Sequence, residues 1–87
     1  IEWYTPLYYY CKVGYLEQVK YLIEKGADIN KSNTDGDTPL CIASQYGYLE
    51  IVKYLIEKGA DINKFTNNGE TPLYIASLYQ HSKIVKY

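Results

Sequence analysis

Between Thr38 and Glu70 the apolar and polar positions follow a helical period. Leu49, Val52, Leu55 and Ile56 fall on one face, and Glu50, Lys53, Glu57 and Lys58 fall on the other. An amphipathic helix is predicted there, and Gly59 ends it. Upstream, Thr38 is a predicted N-cap, and Pro39 takes the first helical position, where a missing N–H costs nothing. Leu40, Ala43 and Ser44 then predict a short helix with one small-residue face. Gly47 lets the chain turn left-handed between the two helices. After Gly59 comes the polar run ADINKFTNNGE, an extended turn with the hairpin signal Asn68-Gly69 at its tip.

This unit recurs. The stretch YLIEKGADINK runs from Tyr21 to Lys31 and again, unchanged, from Tyr54 to Lys64. Thr5-Pro6-Leu7, Thr38-Pro39-Leu40 and Thr71-Pro72-Leu73 open the pattern at intervals of 33 residues. Between Gly14 and Lys31 the chain differs from its next copy at one place only, Gln18 against Ile51. One helix pair cannot bury its apolar face alone, whereas stacked copies share a continuous core.

These residues, above all DGDTPLCIASQYGYLEIVKYLIEKGADIN in the middle copy, resemble the ankyrin repeat family over nearly the whole chain. The resemblance implies an all-α solenoid of stacked helix-turn-helix units joined by hairpin-like loops. It also implies a concave face of fingertip loops and first helices that binds another protein. The chain reads as one domain, 1–87, with units at about 1–32, 33–65 and 66–87. The last unit stops at Tyr87, inside its second helix.

The copies depart from the family at several places. Tyr8, Cys41 and Tyr74 replace a histidine that ties neighbouring loops together, which puts that network in doubt. Tyr10 stands where the other copies have Ala43 and Ala76, so it should block a preceding unit. Trp3 stands at the fingertip place of Gly36 and Gly69, and the first copy reads as a natural cap. Gln80 replaces Gly14 and Gly47, and must either adopt an unfavourable backbone conformation or shift the turn.

Composition then narrows the functions open to the chain. A net charge of −1, with nine lysines and no arginine, argues against a nucleic-acid binder. No segment has the length or apolarity of a membrane span, and no signal-peptide pattern opens the chain. It begins at Ile1 and holds no Met, so an excised or processed piece is expected. Cys11 and Cys41 occupy different places in the repeat and read as reduced thiols of an intracellular, cytoplasmic protein.

Candidate chemistry is sparse. Asn33, Asp35 and Asp37 suggest a calcium loop, but Gly36 comes two places early and Ser44 stands where a bidentate Glu is needed. His81 is the only histidine, which leaves no His pair for a metal. The cysteines have no basic activator nearby in sequence. Neither a phosphate loop nor a nucleophile elbow is present. No enzyme activity, cofactor or metal is expected.

Twelve residues are tyrosine. Tyr21, Tyr54 and Tyr87 recur in the second helix, and Tyr15 and Tyr48 before it, which reads as packing. Tyr46 and Tyr79 fall late in the first helix, on the side that the family turns to its partner. A residue that the stack does not dictate differs between copies, and this logic selects the candidate partner-binding surface. Lys12, Gln45 and Leu78 share one place in the repeat, and Val13, Tyr46 and Tyr79 share the next. The fingertips add Thr34, Asp35, Asp37, Asn67, Asn68 and Glu70. Glu2, Asp35, Asp37 and Glu70 make the fingertip edge acidic, so a basic or polar partner surface is expected there.

The expected function is therefore protein–protein recognition within a longer scaffold, with the partner's identity open. A spacer and a module for weak end-to-end self-association are the alternatives.

Overall fold

The computed structural model describes residues 6–87, and every structural statement below concerns those residues. Glu2, Trp3 and Thr5, singled out above, lie outside them. The helices are α1 (Pro6–Val13), α2 (Leu16–Glu24), α3 (Pro39–Tyr46), α4 (Leu49–Glu57), α5 (Pro72–Leu78) and α6 (Ser82–Lys86), and no strand occurs among the described residues. They form three helix-turn-helix pairs. α1, α3 and α5 pack side by side as one layer, with α2, α4 and α6 as a second layer behind it.

Local chemistry sets the helix limits. The Cys41 N–H donates to Thr38 Oγ1 at 3.1 Å, and the Tyr74 N–H donates to Thr71 Oγ1 at 3.2 Å. Each bond satisfies a helix-end donor that has no partner within the helix, and Pro39 and Pro72 follow at the first helical position. α2 and α4 end alike: Ala27 N–H reaches Leu22 O, and Ala60 N–H reaches Leu55 O, across glycines with positive φ.

The inter-helix glycines meet two demands at once. Gly47 has φ +79°, and a Cβ there would lie 2.7 Å from the His81 ring. Gly14 has φ +85°, with the Tyr48 ring 2.9 Å from a Cβ position. The residue that opens each second helix thus packs onto the glycine of the unit before. The sequence pattern predicts the left-handed turn but not this close approach. Gln80, at the third such place, takes the unfavourable option and holds φ +62°. His81 N–H still reaches Ala76 O at 2.9 Å, as Tyr48 N–H reaches Ala43 O at 3.1 Å. The turn is kept at a backbone cost of about 1 kcal/mol.

Leu7, Cys11, Val19, Leu40, Ala43, Ile51, Val52, Leu55 and Ala76 build the core. Ile51 is buried, whereas Gln18, its one-letter departure, is exposed. The fingertips are hairpin-like turns without strands: Asn33 pairs with Asp37 and Thr66 with Glu70 through backbone bonds of 3.0 Å.

Loops are tied across units even though the family's histidine is replaced. Asn67 N–H donates to Asp35 O at 3.0 Å, and Asn67 Nδ2 to Thr34 O at 2.8 Å. Lower down, Asp61 N–H donates to Asn30 Oδ1 at 2.8 Å and Lys64 Nζ to Asn30 O at 3.0 Å. The doubt over an inter-loop network is resolved mainly by asparagines, and at one replaced position the Tyr8 side chain also hydrogen-bonds that of Asn33. Cys41 contributes only a long thiol contact, 3.9 Å to Lys64 O.

Candidate functional site

The two fingertips are built by side-chain oxygens at their bases. Asn33 Oδ1 accepts the N–H groups of Asp35 and Asp37 at 2.9 and 3.0 Å. Thr66 Oγ1 accepts those of Asn68 and Glu70 at 3.2 and 3.3 Å. Such turns free the side chains of the donor residues to project. Where the two fingertips meet the C-terminal ends of α3 and α5, they enclose a concave pocket of about 330 Å3. Its lining includes Asp35, Asp37 and Glu70 from the loops, with Gln45 and Tyr79 from the helix ends.

This pocket is electrostatically uneven. Burial pushes the Asp37 carboxyl above its ordinary range, and the neighbouring charges of Asp35 and Glu70 push it the same way. No lysine lines the pocket. The arrangement favours a cation brought from outside.

The sequence-predicted residues divide into two groups. Asp35, Asp37, Gln45, Asn67, Asn68, Glu70 and Tyr79 converge on this pocket. Lys12, Val13, Thr34, Tyr46 and Leu78 lie outside it, with Lys12, Thr34, Tyr46 and Leu78 exposed and Val13 half-buried. The carbonyl of Thr34 and the amide of Asn67 already bond one another, so both also serve the stack. Tyr79 lies one residue beyond α5, not inside the first helix, and Tyr46 stacks on Tyr48 with ring centroids 6.4 Å apart. Thr66 and Ile75 also line the pocket and were missed. Thr66 has a signal in hindsight: it stands one repeat after Asn33, and either residue can close a turn through a side-chain oxygen.

The recurring tyrosines divide: Tyr48 and Tyr54 pack against the core as expected, whereas Tyr15 is exposed. Tyr21 and Tyr87 are exposed, and Tyr87 lies just past α6. Lysines cover these rings instead. Lys25 sits 5.5 Å from the Tyr21 centroid, and Lys53 sits 5.5 Å from that of Tyr87. Half-buried Tyr54 has Lys58 at 5.6 Å and Lys20 at 5.7 Å. Two of these contacts, Lys20–Tyr54 and Lys53–Tyr87, join successive units.

Other reactive groups are spoken for. Burial raises the Cys11 thiol to about 12 and moves Cys41 in the same direction, so neither favours the thiolate. Burial, reinforced by the charge on Asp37, lifts the Tyr8 hydroxyl to about 12. His81 Nε2 lies 2.8 Å from Gln45 O and seats the ring under Gly47, a structural role. No cluster of metal-ligating side chains occurs among the described residues. No helix there is long and apolar enough to cross a membrane.

A family model described as ankyrin repeats (3 copies) matches residues 7–87. No curated protein matches the chain.

Proposed function

The chain belongs to the ankyrin repeat family, and we propose that it takes a basic segment of another protein at the concave pocket. Ankyrin repeats are generally protein–protein interaction modules and typically non-catalytic. The observation that carries the finer reading is the convergence of Asp35, Asp37 and Glu70 on one pocket, with Asp37 held above its ordinary range. Three carboxylates that repel one another gain when a lysine or arginine enters between them. Tyr79 offers an aromatic face to the aliphatic part or the charge of the same side chain. Exposed Tyr46, Leu78 and Lys12, with half-buried Val13, extend the contact along the first helices.

The acidic pocket and the lack of arginine weigh against nucleic acid as the partner. Two free, buried cysteines suit a reducing compartment, and we assign the module to the cytoplasm.

Fluorescence anisotropy with labelled peptides tests the reading, using a Lys/Arg-rich helical peptide against its Glu-rich counterpart. The basic peptide should bind, and binding should fade as salt rises from about 0.1 M to about 1 M, where the Debye length drops from about 10 Å to about 3 Å. Asp35→Asn with Asp37→Asn should remove most of the binding. Equal affinity for both peptides, or indifference to that double substitution, refutes the proposed pocket.

A further inference from the structure

After each Thr-Pro-Leu the three copies read Tyr8, Cys41 and Tyr74. Tyr8 is buried, and its side chain hydrogen-bonds that of Asn33 in the fingertip of the next unit. Burial raises its hydroxyl first, and Asp37, Tyr46 and Asp35 then push the same way, which puts all three near its tip. One repeat on from Asn33, Asp35, Asp37 and Tyr46 stand Thr66, Asn68, Glu70 and Tyr79. All four of these line the concave pocket. The space that a tyrosine enters between the first two units thus stands open between the second and the third.

The side chain at residue 41 accounts for the difference. Cys41 is fully buried, with its Sγ 3.9 Å from Lys64 O, two residues before Thr66. Burial is the first cause that raises its thiol, and Asp37 and Glu70 of the pocket also contribute, so the thiol lies beneath their carboxylates. It is too short to rise among them and does not line the pocket. A cavity of about 150 Å3 holds a benzene ring. The pocket, at about 330 Å3, therefore has room for a phenol.

We infer that Cys41 determines where the partner docks: its short side chain leaves open a slot that a tyrosine at the same place would fill. Charge alone does not choose between the two junctions, because Asp35 and Asp37 face Tyr8 on one side and the pocket on the other. Shape makes the choice. A tyrosine at residue 41 would bring its hydroxyl beside Thr66 and Glu70, as Tyr8 comes beside Asn33 and Asp37, and would donate to an oxygen that an incoming ammonium needs. Its effect on binding rests on the pocket being the partner's site, as proposed above. Its effect on the space does not.

Two neutral substitutions in the full chain test this, Cys41→Tyr and Cys41→Ala. In anisotropy with the basic peptide, Cys41→Tyr should weaken binding by about tenfold or more, and Cys41→Ala should change it by less than about twofold. The space is read without any peptide, by 1H–15N correlation spectra. The Asn68 and Glu70 amides, which donate to Thr66 Oγ1, should shift in Cys41→Tyr and hold their places in Cys41→Ala. Cys41→Tyr should also melt close to the parent chain. Ala43→Tyr, at a fully buried residue that does not border the pocket, should melt well below both. Unchanged affinity in Cys41→Tyr, or an equal loss in Cys41→Ala, overturns the inference. Unmoved amides overturn it too, as does a Cys41→Tyr chain that melts as low as Ala43→Tyr, since the ring then has no slot. A parent chain that binds no basic peptide refutes the partner site instead, and the amides and melting still decide whether residue 41 controls the space.

Discussion

Leu22 and Leu55 sit in the same eleven-residue sequence, so truncating each to alanine changes local propensity equally. The unfolded chain is affected almost equally too. What differs is the surroundings: Leu55 is 0% exposed, and Leu22 is half-buried. Removing the Leu55 side chain should leave a closed cavity and cost about 3 kcal/mol, within the range for buried leucines. At Leu22 part of the side chain already meets water and no closed cavity forms, so about 1 kcal/mol is expected. The total stability of a chain this short is about 4–13 kcal/mol, so Leu55→Ala removes a large share. Urea unfolding followed by far-UV circular dichroism measures both, at low micromolar concentration to keep the chains apart. With a slope near 1.5 kcal/mol per M, the midpoint should drop by about 2 M for Leu55→Ala and by about 0.7 M for Leu22→Ala. Equal losses, or a larger one at Leu22, would refute the claim that the central unit's cover sets the difference.

Ala43→Tyr should cost about 1–3 kcal/mol by overpacking a fully buried site. Tyr10→Ala should cost about 1 kcal/mol, chiefly its ring contacts with Tyr9 and Tyr15; equal losses in urea would contradict the packing. Gln80→Gly should stabilise by about 0.5–1 kcal/mol by relieving a left-handed residue, and no rise in melting temperature would show that φ +62° carries no strain. For Asp37 the folded carboxyl titrates higher than the unfolded one, so the folded state binds its proton more readily. Stability should then fall as pH rises through the interval between the two values, and the penalty should be complete above it. Asp37→Asn keeps both backbone bonds to Asn33. It should stabilise the fold at neutral pH and not below the ordinary carboxylate range, and a gain that is the same at both pH values would assign the effect to packing.

The sequence alone determined the parts whose causes lie within a few residues. α2 and α4 have matching limits, Leu16–Glu24 and Leu49–Glu57, because the same letters make the same helix. Thr38, Thr71 and the positive-φ glycines cap and turn where their spacing says they should. Asn30 and Asn63 show where that reach stops. Both make the same local bond, from their own N–H to the side chain of Asp28 and Asp61 at 3.0 and 2.9 Å. Yet Asn30 is also clasped by Asp61 and Lys64 of the next unit, while Asn63 stands exposed beside an apolar groove. Likewise Tyr21 is exposed and Tyr54 half-buried, though their neighbours in sequence match. The acidic pocket needed the stack as well: Glu70 approaches Asp35 and Asp37 only when one fingertip lies on the other. A short window of sequence fixes backbone conformation through capping, turn sterics and period. Burial and electric field are set by whatever packs from outside that window, and identical segments part company when one of them lacks that neighbour.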